Sequence, residues 1–406
     1  MQRTQAGWTP PGPGRDADRE RGRMATAEPS PRQQFLAFLH EDADTLSAEI
    51  FARFFAYRPA ARAMFPANMV EHRAVFMDVL VYVVRSIDDP DAEPAMMAFL
   101  SQLGRDHRKF GATTEDYSAF RKSMAMVISQ RLGHRRTPEV DKLLLLLVRA
   151  TTELMNAGAA KDTGPAFVEA TVVEHIRATR DHAVIRLQAD APVPYRAGQY
   201  LSVRTTLGSW RYFSPTIPPN PGGQIEFLVR TVPGGDVSGP VVAGTRVGDR
   251  WRLGAAHGSM QVDRDAGGDV LMVAGGSGVA PMRSIIVDMA RFGENPRVHL
   301  FYGARHPGDL TELPTLWRLS ITNPWLTVVP VSEEAEDPWW LAGADNRYEP
   351  GMHSRQTGTL ADVVTSYGAW SDRRVLVCGS PKMVEATVDR LLAAGTPPGN
   401  IAFDPY

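Results

Sequence analysis

Apolar residues in the first third of the chain recur at spacings of three and four, which is the period of an amphipathic helix. The pattern begins at Gln33 and continues up to the prolines near residue 60. Further helices are predicted over 70–86, 94–109, 114–131 and 138–155. Thr113 or Thr114, and later Thr137, stand just before acidic residues and are typical helix starts. Since no strand pattern interrupts this region, we predict an all-α domain over residues 32–158.

After residue 164 the pattern changes to short apolar strands that glycines and prolines separate. Strands are predicted over 167–174, 183–188, 200–204, 225–230 and 249–253. Their spacing is typical of a small antiparallel β-barrel, which we place at 164–266. Further strands are predicted over 270–274, 297–302, 326–331 and 374–378, with helices over 281–291 and 382–394. Alternating strands and helices predict an α/β domain with a doubly wound parallel sheet over 267–406.

The composition excludes several classes of protein. A net charge of −2 leaves no basic surface for nucleic acid. The one cysteine, Cys378, excludes an intramolecular disulfide and fits a reducing cytoplasm. The longest aliphatic run, Leu143 to Val148, is far shorter than the roughly 20 residues of a membrane span. We therefore expect a cytoplasmic monomer without an integral membrane segment, and a disordered tail over residues 1–31.

Four consecutive residues after the predicted strand at 200–204 combine a cation, two aromatic rings and a hydroxyl: Arg211, Tyr212, Phe213 and Ser214. In an extended strand, Arg211 and Phe213 point to one side and Tyr212 and Ser214 to the other. A cation for a phosphate, a ring to stack and a hydroxyl for a ring nitrogen suit a flat aromatic ligand that carries phosphates. The alternative is an ordinary barrel strand with an exposed arginine.

Two glycine-rich stretches favour the ligand. Residues 234–238 read Gly-Gly-Asp-Val-Ser and offer backbone N–H groups to a pyrophosphate. Residues 276–281 read Gly-Ser-Gly-Val-Ala-Pro, follow a buried-type strand and open a helix, so they can approach a dinucleotide phosphate. Residues 301–305 and 378–383 stand at further strand ends, where parallel sheets bind their ligands.

Residues 211–214, 234–238 and 276–281, in this order, resemble the ferredoxin-reductase superfamily of flavin and nicotinamide enzymes. The helical domain resembles the globin domain of bacterial flavohaemoglobins in residues 46–55, in Met64-Phe65-Pro66, in His107-Arg108-Lys109-Phe110 and in Tyr117. The order of the helical, β-barrel and α/β domains resembles the domain order of the flavohaemoglobin family over nearly the whole chain. The resemblance implies FAD, haem b and either NADH or NADPH as cofactors.

By this resemblance His107 is the proximal haem ligand and Tyr117 is the tyrosine beside it. On spacing alone, His107 is otherwise a structural or solvent-facing histidine. The distal tyrosine of the family falls on Phe51 and its distal glutamine on His72, which is otherwise a surface histidine. The glutamate that completes the proximal relay in the family falls on Ala159, which implies a weaker push on bound oxygen.

The resemblance also assigns residues to the two nucleotides. To FAD it assigns Tyr200, Arg211, Tyr212, Phe213 and Ser214, with Gly235, Val237 and Ser238 at the pyrophosphate. To the nicotinamide coenzyme it assigns Gly276, Ser277, Gly278, Val279, Ala280, Pro281, Cys378 and Gly379. Cys378 is otherwise a small buried hydrophobe. The family signature Arg-x-Tyr-Ser has Phe213 in its third place, which keeps the ring and loses the phenol. Asp404 and Tyr406 match the acid and the aromatic that cover the flavin, and the alternative for them is a frayed terminus.

The activity that the resemblance implies is NAD(P)H-dependent. Hydride passes to FAD, electrons continue singly to haem iron, and nitric oxide is oxidised with O2 to nitrate. A first alternative is an NAD(P)H:acceptor flavin reductase whose globin-like domain is regulatory or sensory. A second is a non-enzymatic oxygen- or haem-binding protein with a vestigial reductase. Arg305, Arg355 and Lys382 are candidates to pair with a 2′-phosphate and favour NADPH, but the choice of coenzyme stays open.

Overall fold

The structure is a computed structural model that describes residues 29–263, 267–341 and 352–404. Tyr406 and most of the predicted tail lie outside these residues. The chain divides near Ala166 into two compact units, a helical one before this residue and a larger one from Phe167 onwards. The domain boundaries at 32–158, 164–266 and 267–406 stay predictions.

The helical unit consists of helices joined by short turns. In chain order they are α1 (Pro31–Glu41), α2 (Ala43–Tyr57), α3 (Val70–Ser86), α4 (Glu93–His107), α5 (Thr114–Leu132), α6 (Pro138–Arg149), a π-helical turn (Ala150–Leu154) and α7 (Met155–Lys161). Thr113 caps α5 in a reciprocal capping box with Asp116, and Thr137 caps α6. Apolar side chains from α1 to α6 meet in one core, in which Ile50, Leu80 and Leu100 are fully buried. The predicted all-α fold is confirmed.

Helices α4 and α7 cross in backbone contact because each has a glycine at the crossing. A Cβ atom on Gly104 would lie 1.9 Å from the Met155 carbonyl oxygen, and one on Gly158 would lie 2.1 Å from that of Ser101. Real Cβ atoms do not approach so closely, so any larger residue would force the helices apart. The crossing fixes the last turns of α4, which end at His107.

One helix of the described residues, Pro138–Lys161, is long and apolar enough to cross a membrane on length and composition alone. It comprises α6, the π turn and α7. Its Leu143, Leu144 and Leu147 side chains are buried in the core of the helical unit. Such burial is what a core helix of a globular domain shows, so the helix is weak evidence for a membrane span.

The second unit begins with an antiparallel sheet. Its strands are β1 (Val168–Arg177), β2 (His182–Ala189), β3 (Tyr200–Arg204), β4 (Trp210–Phe213), β5 (Gln224–Arg230) and β6 (Arg250–His257), in the order β4-β3-β6-β1-β2-β5. A short helix, α8 (Ser238–Gly244), precedes β6. Ile185, Leu201, Phe227 and Trp251 fill the interior of the sheet. The predicted antiparallel barrel architecture is confirmed.

The rest of this unit is a parallel sheet with helices between its strands. It contains β7 (Asp269–Gly275), α9 (Val279–Met289), β8 (Val298–Ala304), α10 (Leu313–Thr322), β9 (Leu326–Ser332), β10 (Gln356–Thr357), α11 (Leu360–Ser366), β11 (Arg373–Cys378), α12 (Pro381–Ala393) and β12 (Ile401–Ala402). The order β10-β9-β8-β7-β11-β12 confirms the doubly wound arrangement. The helix predicted from Pro281 begins two residues earlier, at Val279, after a 3-10 turn at Gly276–Gly278.

Candidate functional sites

His107 ends α4 with its imidazole in a defined tautomer. Its Nδ1 atom lies 2.7 Å from the carbonyl oxygen of Leu103, one helical turn earlier. A carbonyl oxygen can only accept, so Nδ1 carries the proton and Nε2 keeps its lone pair. Burial lowers the pKa of His107, which keeps the ring neutral. A neutral imidazole with an available Nε2 and an oriented Nδ1–H is the form that ligates haem iron.

Tyr117, on α5, has a buried hydroxyl that finds no hydrogen-bond partner within the described residues. Burial is the main cause that raises the pKa of this phenol, and the charge of Asp106 adds to it. A buried hydroxyl without a partner is rare and calls for a ligand or water that the protein itself does not supply.

A buried ion pair adjoins the two side chains. Lys109 Nζ donates to both carboxylate oxygens of Asp106, at 2.7 and 2.8 Å. The Asp106 carboxylate acts on the pKa of both His107 and Tyr117. The negative charge beside the histidine therefore comes from the histidine's own helix. Ala159, on α7, carries no polar group to the place where the resemblance puts a glutamate.

Phe51 is buried at the centre of an aromatic cluster. Its ring centroid lies between 5.2 and 6.0 Å from those of its neighbours, which are Phe55, Phe65, His72, Phe76 and Phe120. Burial lowers the pKa of His72 to about 4, and His107 is a second cause. The two histidines thus lie within electrostatic range of each other. His72 turns its ring inward against Phe51 and Phe65 instead of lying on a polar surface.

These groups fit a haem. An oriented, neutral His107 offers a nitrogen ligand. The Tyr117 hydroxyl, which has no partner among the described residues, lies within the electrostatic influence of Asp106. The phenylalanine cluster supplies an apolar lining, and His72 packs against it.

In the barrel, an aromatic group forms around Tyr200. Its ring stacks on His257 with centroids 5.3 Å apart, and Tyr212 meets it edge-on at 5.2 Å. Ser202 Oγ lies 3.0 Å from His257 Nε2. His257 was not a predicted site residue. It reaches Tyr200 because β3 and β6 pair these two positions, which only the sheet register reveals.

Phe213 points to the opposite side from Tyr212, as alternation predicts. It packs 5.8 Å from Phe227 and 6.5 Å from Trp251, against the barrel core. The two rings of the sequence motif are therefore divided between two surfaces. Tyr212 joins the Tyr200 group, while Phe213 is partly used in packing.

Arg211 and the glycine-rich turn at residues 234–238 come together. Burial lowers the pKa of Arg211, and the opposing influence comes from Asp236 within that turn. Ser238 Oγ accepts from the Val232 N–H at 2.8 Å, and the Val237 side chain is buried in the barrel core. Backbone N–H groups of the turn and the Arg211 guanidinium are thus the parts that suit the pyrophosphate of FAD.

Asp404 lies against the residues that follow His257. Asp404 is 9% exposed, its Oδ1 accepts from the Ser259 N–H at 3.0 Å, and its Oδ2 has no partner among the described residues. Burial raises its pKa, and the same carboxyl is a secondary cause of the raised pKa of Cys378. Burial raises the pKa of the Cys378 thiol to about 12, so Cys378 stays protonated at neutral pH. Tyr406, its predicted companion, lies outside the described residues.

A cleft of about 430 Å³ opens at the carboxyl ends of the parallel strands. Its lining includes Gly275 and Gly276 at the end of β7, Arg305 after β8, Glu333 after β9, and Ser380 and Lys382 at the start of α12. Gly276 has a φ of 54°, a conformation that favours glycine. Gly278 packs on the Cys378 carbonyl oxygen, which a Cβ atom would approach to 2.4 Å. This is the edge at which doubly wound sheets bind nucleotides.

An ion network joins the barrel to the parallel sheet. Arg283 Nη1, on α9, donates to Glu226 Oε1 at 2.7 Å and to Glu312 Oε2 at 2.9 Å. Glu226, on β5, also accepts from Arg186 at 2.6 Å and from Thr216 at 2.6 Å. The network was not predicted, because its charged members are at least 29 residues apart and carry no local motif.

Three successive regions of the chain match known protein families. Residues 48–151 match the globin family, 169–262 the oxidoreductase FAD-binding domain, and 272–389 the oxidoreductase NAD-binding domain. The chain is thus an NAD(P)H-dependent flavin oxidoreductase joined to a globin, with FAD, haem and a nicotinamide coenzyme as its cofactors.

Relatives among characterised proteins are reductase components. The chain is 30% identical to the reductase component of propane 2-monooxygenase from Rhodococcus jostii over 300 residues, which is 72% of this chain and 76% of that one. It is 28% identical to the reductase component of phenol 2-monooxygenase from Pseudomonas, over 51% of this chain and 56% of that one. It therefore belongs to this family of FAD- and NAD-binding reductases, although it spans little more than half of the phenol enzyme's component.

Solved structures extend the likeness to the globin. A flavohaemoglobin from Malassezia yamatoensis with bound FAD and haem superposes with a TM-score of 0.72 over 92% of this chain and 97% of that one, at 16% identity. A cytochrome P450 reductase from Amycolatopsis matches at 27% identity with a TM-score of 0.50, over 59% of this chain and 70% of that one. The three matched domains and the fold are those of a flavohaemoglobin.

Proposed function

We propose that this flavohaemoglobin-like reductase oxidises nitric oxide with O2 to nitrate at the expense of NAD(P)H. Two observations carry the proposal: the neutral His107 ring keeps its Nε2 available, and the buried Tyr117 hydroxyl has no partner among the described residues. Bound FAD would accept a hydride and release single electrons, and bound haem would offer the iron at which oxygen and nitric oxide meet.

In this proposal each side chain has a distinct task. His107 holds the iron through Nε2, while the Leu103 carbonyl fixes its ring. The Tyr117 hydroxyl is directed to the side of the haem that His107 binds. On the distal side, His72 is neutral and offers a hydrogen-bond donor, and Phe51 excludes water. Tyr200, Tyr212 and His257 hold the flavin ring, Arg211 and the turn at residues 234–238 its pyrophosphate, and Asp404 lies beside them.

A second function is supported by the similarity to reductase components. In it the chain is an NAD(P)H:acceptor reductase, and the globin regulates or senses. Phe51 and Ala159 favour this candidate, since each lacks a polar group that the resemblance expects at the haem. Electrons would then leave the flavin for another protein or a small acceptor.

The deciding experiment measures nitrate formed per NAD(P)H consumed, with nitric oxide and O2, beside reduction of ferricyanide. His107→Ala is expected to abolish nitrate formation and the haem absorption band and to leave ferricyanide reduction intact. Nitrate formation that persists in the haem-free variant contradicts the proposal. Ferricyanide reduction without nitrate in the haem-loaded protein favours the second function.

A further inference from the structure

A short linker, residues 162–167, joins the helical unit to the barrel. It follows the end of α7 at Lys161 and precedes the start of β1 at Val168, and the division between the two compact units falls within it. The length and stiffness of a linker set how often the modules that it joins meet. The contacts of the linker residues therefore decide how much of this segment is free to move.

The first half of the linker is held by Arg108, the residue that follows His107. Arg108 Nη1 lies 2.6 Å from Asp162 Oδ2, and Arg108 Nη2 donates to the carbonyl oxygen of Gly164. Asp162 Oδ1 accepts from the Gly164 N–H at 3.2 Å. The guanidinium, the carboxylate and the Gly164 backbone thus close a ring of hydrogen bonds. The Arg108 side chain is 18% exposed, so it is shielded from much of the competing water.

The last residue of the linker, Phe167, is held by the barrel. The guanidinium carbon of Arg252, on β6, lies 4.6 Å from the centroid of the Phe167 ring, and the Trp210 ring on β4 lies 6.4 Å away. Arg252 Nε also donates to Glu169 Oε1 at 2.9 Å, which fixes the cation over the ring. Trp210 directly precedes Arg211, so this anchor adjoins the strand to which FAD is assigned.

Between the two anchors remain Pro165 and Ala166. The pyrrolidine ring fixes the φ angle of Pro165 and also restricts the residue before it. A linker of six residues therefore has the freedom of a linker of two, one of which is proline. A short and stiff connection raises the effective concentration of one module at the other.

We propose that Arg108 is a positioning residue that anchors the linker beside the proposed iron ligand and thereby sets the rate at which electrons pass from FAD to haem. In this step NADH is oxidised to NAD+, its hydride reduces FAD, and ferric haem takes one electron from the reduced flavin. The inference rests on the proposed passage of electrons to haem. The state of the linker, however, can be measured without that step.

The test uses the full chain loaded with FAD and haem. Arg108→Met keeps the length of the side chain and removes its donors. The matched control is Arg121→Met, because Arg121 pairs with Glu153 at 2.9 Å in the same unit and this ion pair does not involve the linker.

The first measurement is the rate at which trypsin cuts after the exposed Lys161, followed by mass spectrometry of the fragment that begins at Asp162. Cleavage reports the population in which the linker is open. Arg108→Met is expected to be cut about tenfold faster, which corresponds to the loss of one hydrogen bond to a charged group. Arg121→Met should stay within about twofold of the wild type.

The second measurement is anaerobic stopped-flow absorption after mixing with NADH. Without the Arg108 anchor the free segment grows from two residues to five, 162–166, and effective concentration falls roughly as the −3/2 power of linker length. Haem reduction in Arg108→Met should therefore slow by about fourfold. Flavin bleaching and the ferric haem spectrum should stay unchanged. Arg108→Lys keeps the ion pair with Asp162 and loses the second bond, so both of its rates should lie between those of Arg108→Met and the wild type.

Arg108→Met that behaves like Arg121→Met in either measurement overturns the proposal. Slow haem reduction with a changed haem spectrum and unchanged cleavage overturns it as well, because the effect would then arise at His107. If Arg108→Met does not retain haem, Asp162→Asn, which lies on the linker itself, decides by the same two rates.

The proposed function can fail separately. NADH that bleaches the flavin of the wild type and leaves its haem oxidised contradicts the passage of electrons to haem. The ratio of the cleavage rates then still decides whether Arg108 anchors the linker.

Discussion

Replacing Arg283 with methionine tests whether the ion network holds the two domains of the reductase unit together. The Arg283 side chain is 13% exposed, and its two carboxylate partners, Glu226 and Glu312, are each 4% exposed. Removing one partner of a buried pair leaves an uncompensated charge and costs about 3–5 kcal/mol. For a unit of this size, we expect the unfolding midpoint to fall by about 6–20 °C.

The loss of stability in Arg283→Met should also depend on pH. Glu312 already has a raised pKa, mainly through burial, and Arg283 opposes that rise. Without Arg283 the folded-state pKa of Glu312 moves further above the ordinary value of 4.5, and the pKa of Glu226, which Arg283 helps to lower, rises as well. A raised carboxyl pKa stabilises the fold below its ordinary value, and this stabilisation is lost as pH rises through the folded-state pKa. The defect of Arg283→Met should therefore be larger at pH 8 than at pH 5.

Arg186→Met is the matched control, because Arg186 also bonds to Glu226 but its side chain is 48% exposed. An exposed pair contributes only about 0–1 kcal/mol. The assay is thermal unfolding of the FAD-loaded protein, followed by the release of flavin fluorescence. The reasoning is refuted when Arg283→Met loses no more stability than Arg186→Met, or loses the same amount at both pH values.

Three further changes test other parts of the structure. Phe51→Tyr adds a hydrogen-bond donor near the proposed distal pocket. Oxygen release, measured by stopped-flow, should slow by about tenfold, which corresponds to one hydrogen bond. An unchanged release rate counts against the assignment of Phe51 to the distal side. Gly104→Ala places a methyl group 1.9 Å from the Met155 carbonyl oxygen and should cost about 3 kcal/mol in thermal unfolding. Gly293→Ala, with nothing within 4 Å, is its control, and equal stability of the two variants would contradict the tight crossing. Glu333→Gln removes a carboxylate from the β9 end of the cleft, so we expect kcat/KM for NADPH to rise at least about threefold relative to NADH, and an unchanged ratio excludes a role in coenzyme choice.

The sequence was sufficient for the fold because periodicity reports which face each element buries. The prediction over 70–86 matches α3, which buries one apolar side, and that over 200–204 matches β3, in which Leu201 and Val203 are buried. Predictions failed where burial is not local. Helices α10 and α11 escaped notice, and β10 and β12 are two residues long, too short for an alternation to show.

The candidate site residues also differ in whether a local sequence signal marks them. Motif residues such as Arg211 and Gly276 were predicted because local backbone chemistry marks them. The positions of His257, His182 and Arg230 were not predicted, because strand register alone brings each of them to its neighbour. His257 reaches Tyr200 through the pairing of β3 with β6, and His182 reaches Arg230 through the pairing of β2 with β5. A one-residue shift in either pairing would move these side chains to the opposite face of the sheet.

Two features of the helical unit bear on the proposed haem chemistry: the charge beside His107 and the lack of a hydrogen-bond donor on Phe51. On the proximal side, the Asp106 carboxylate already shares its charge with Lys109 at 2.7 Å. A carboxylate that is neutralised by an ammonium group pulls less on the proton of a neighbouring imidazole than an unpaired one. On the distal side, the Phe51 ring brings no donor, so in the proposed oxidation of nitric oxide the stabilisation of bound oxygen falls mainly on the neutral His72. Activity in the proposed oxidation should therefore respond to changes at His72 and Phe51.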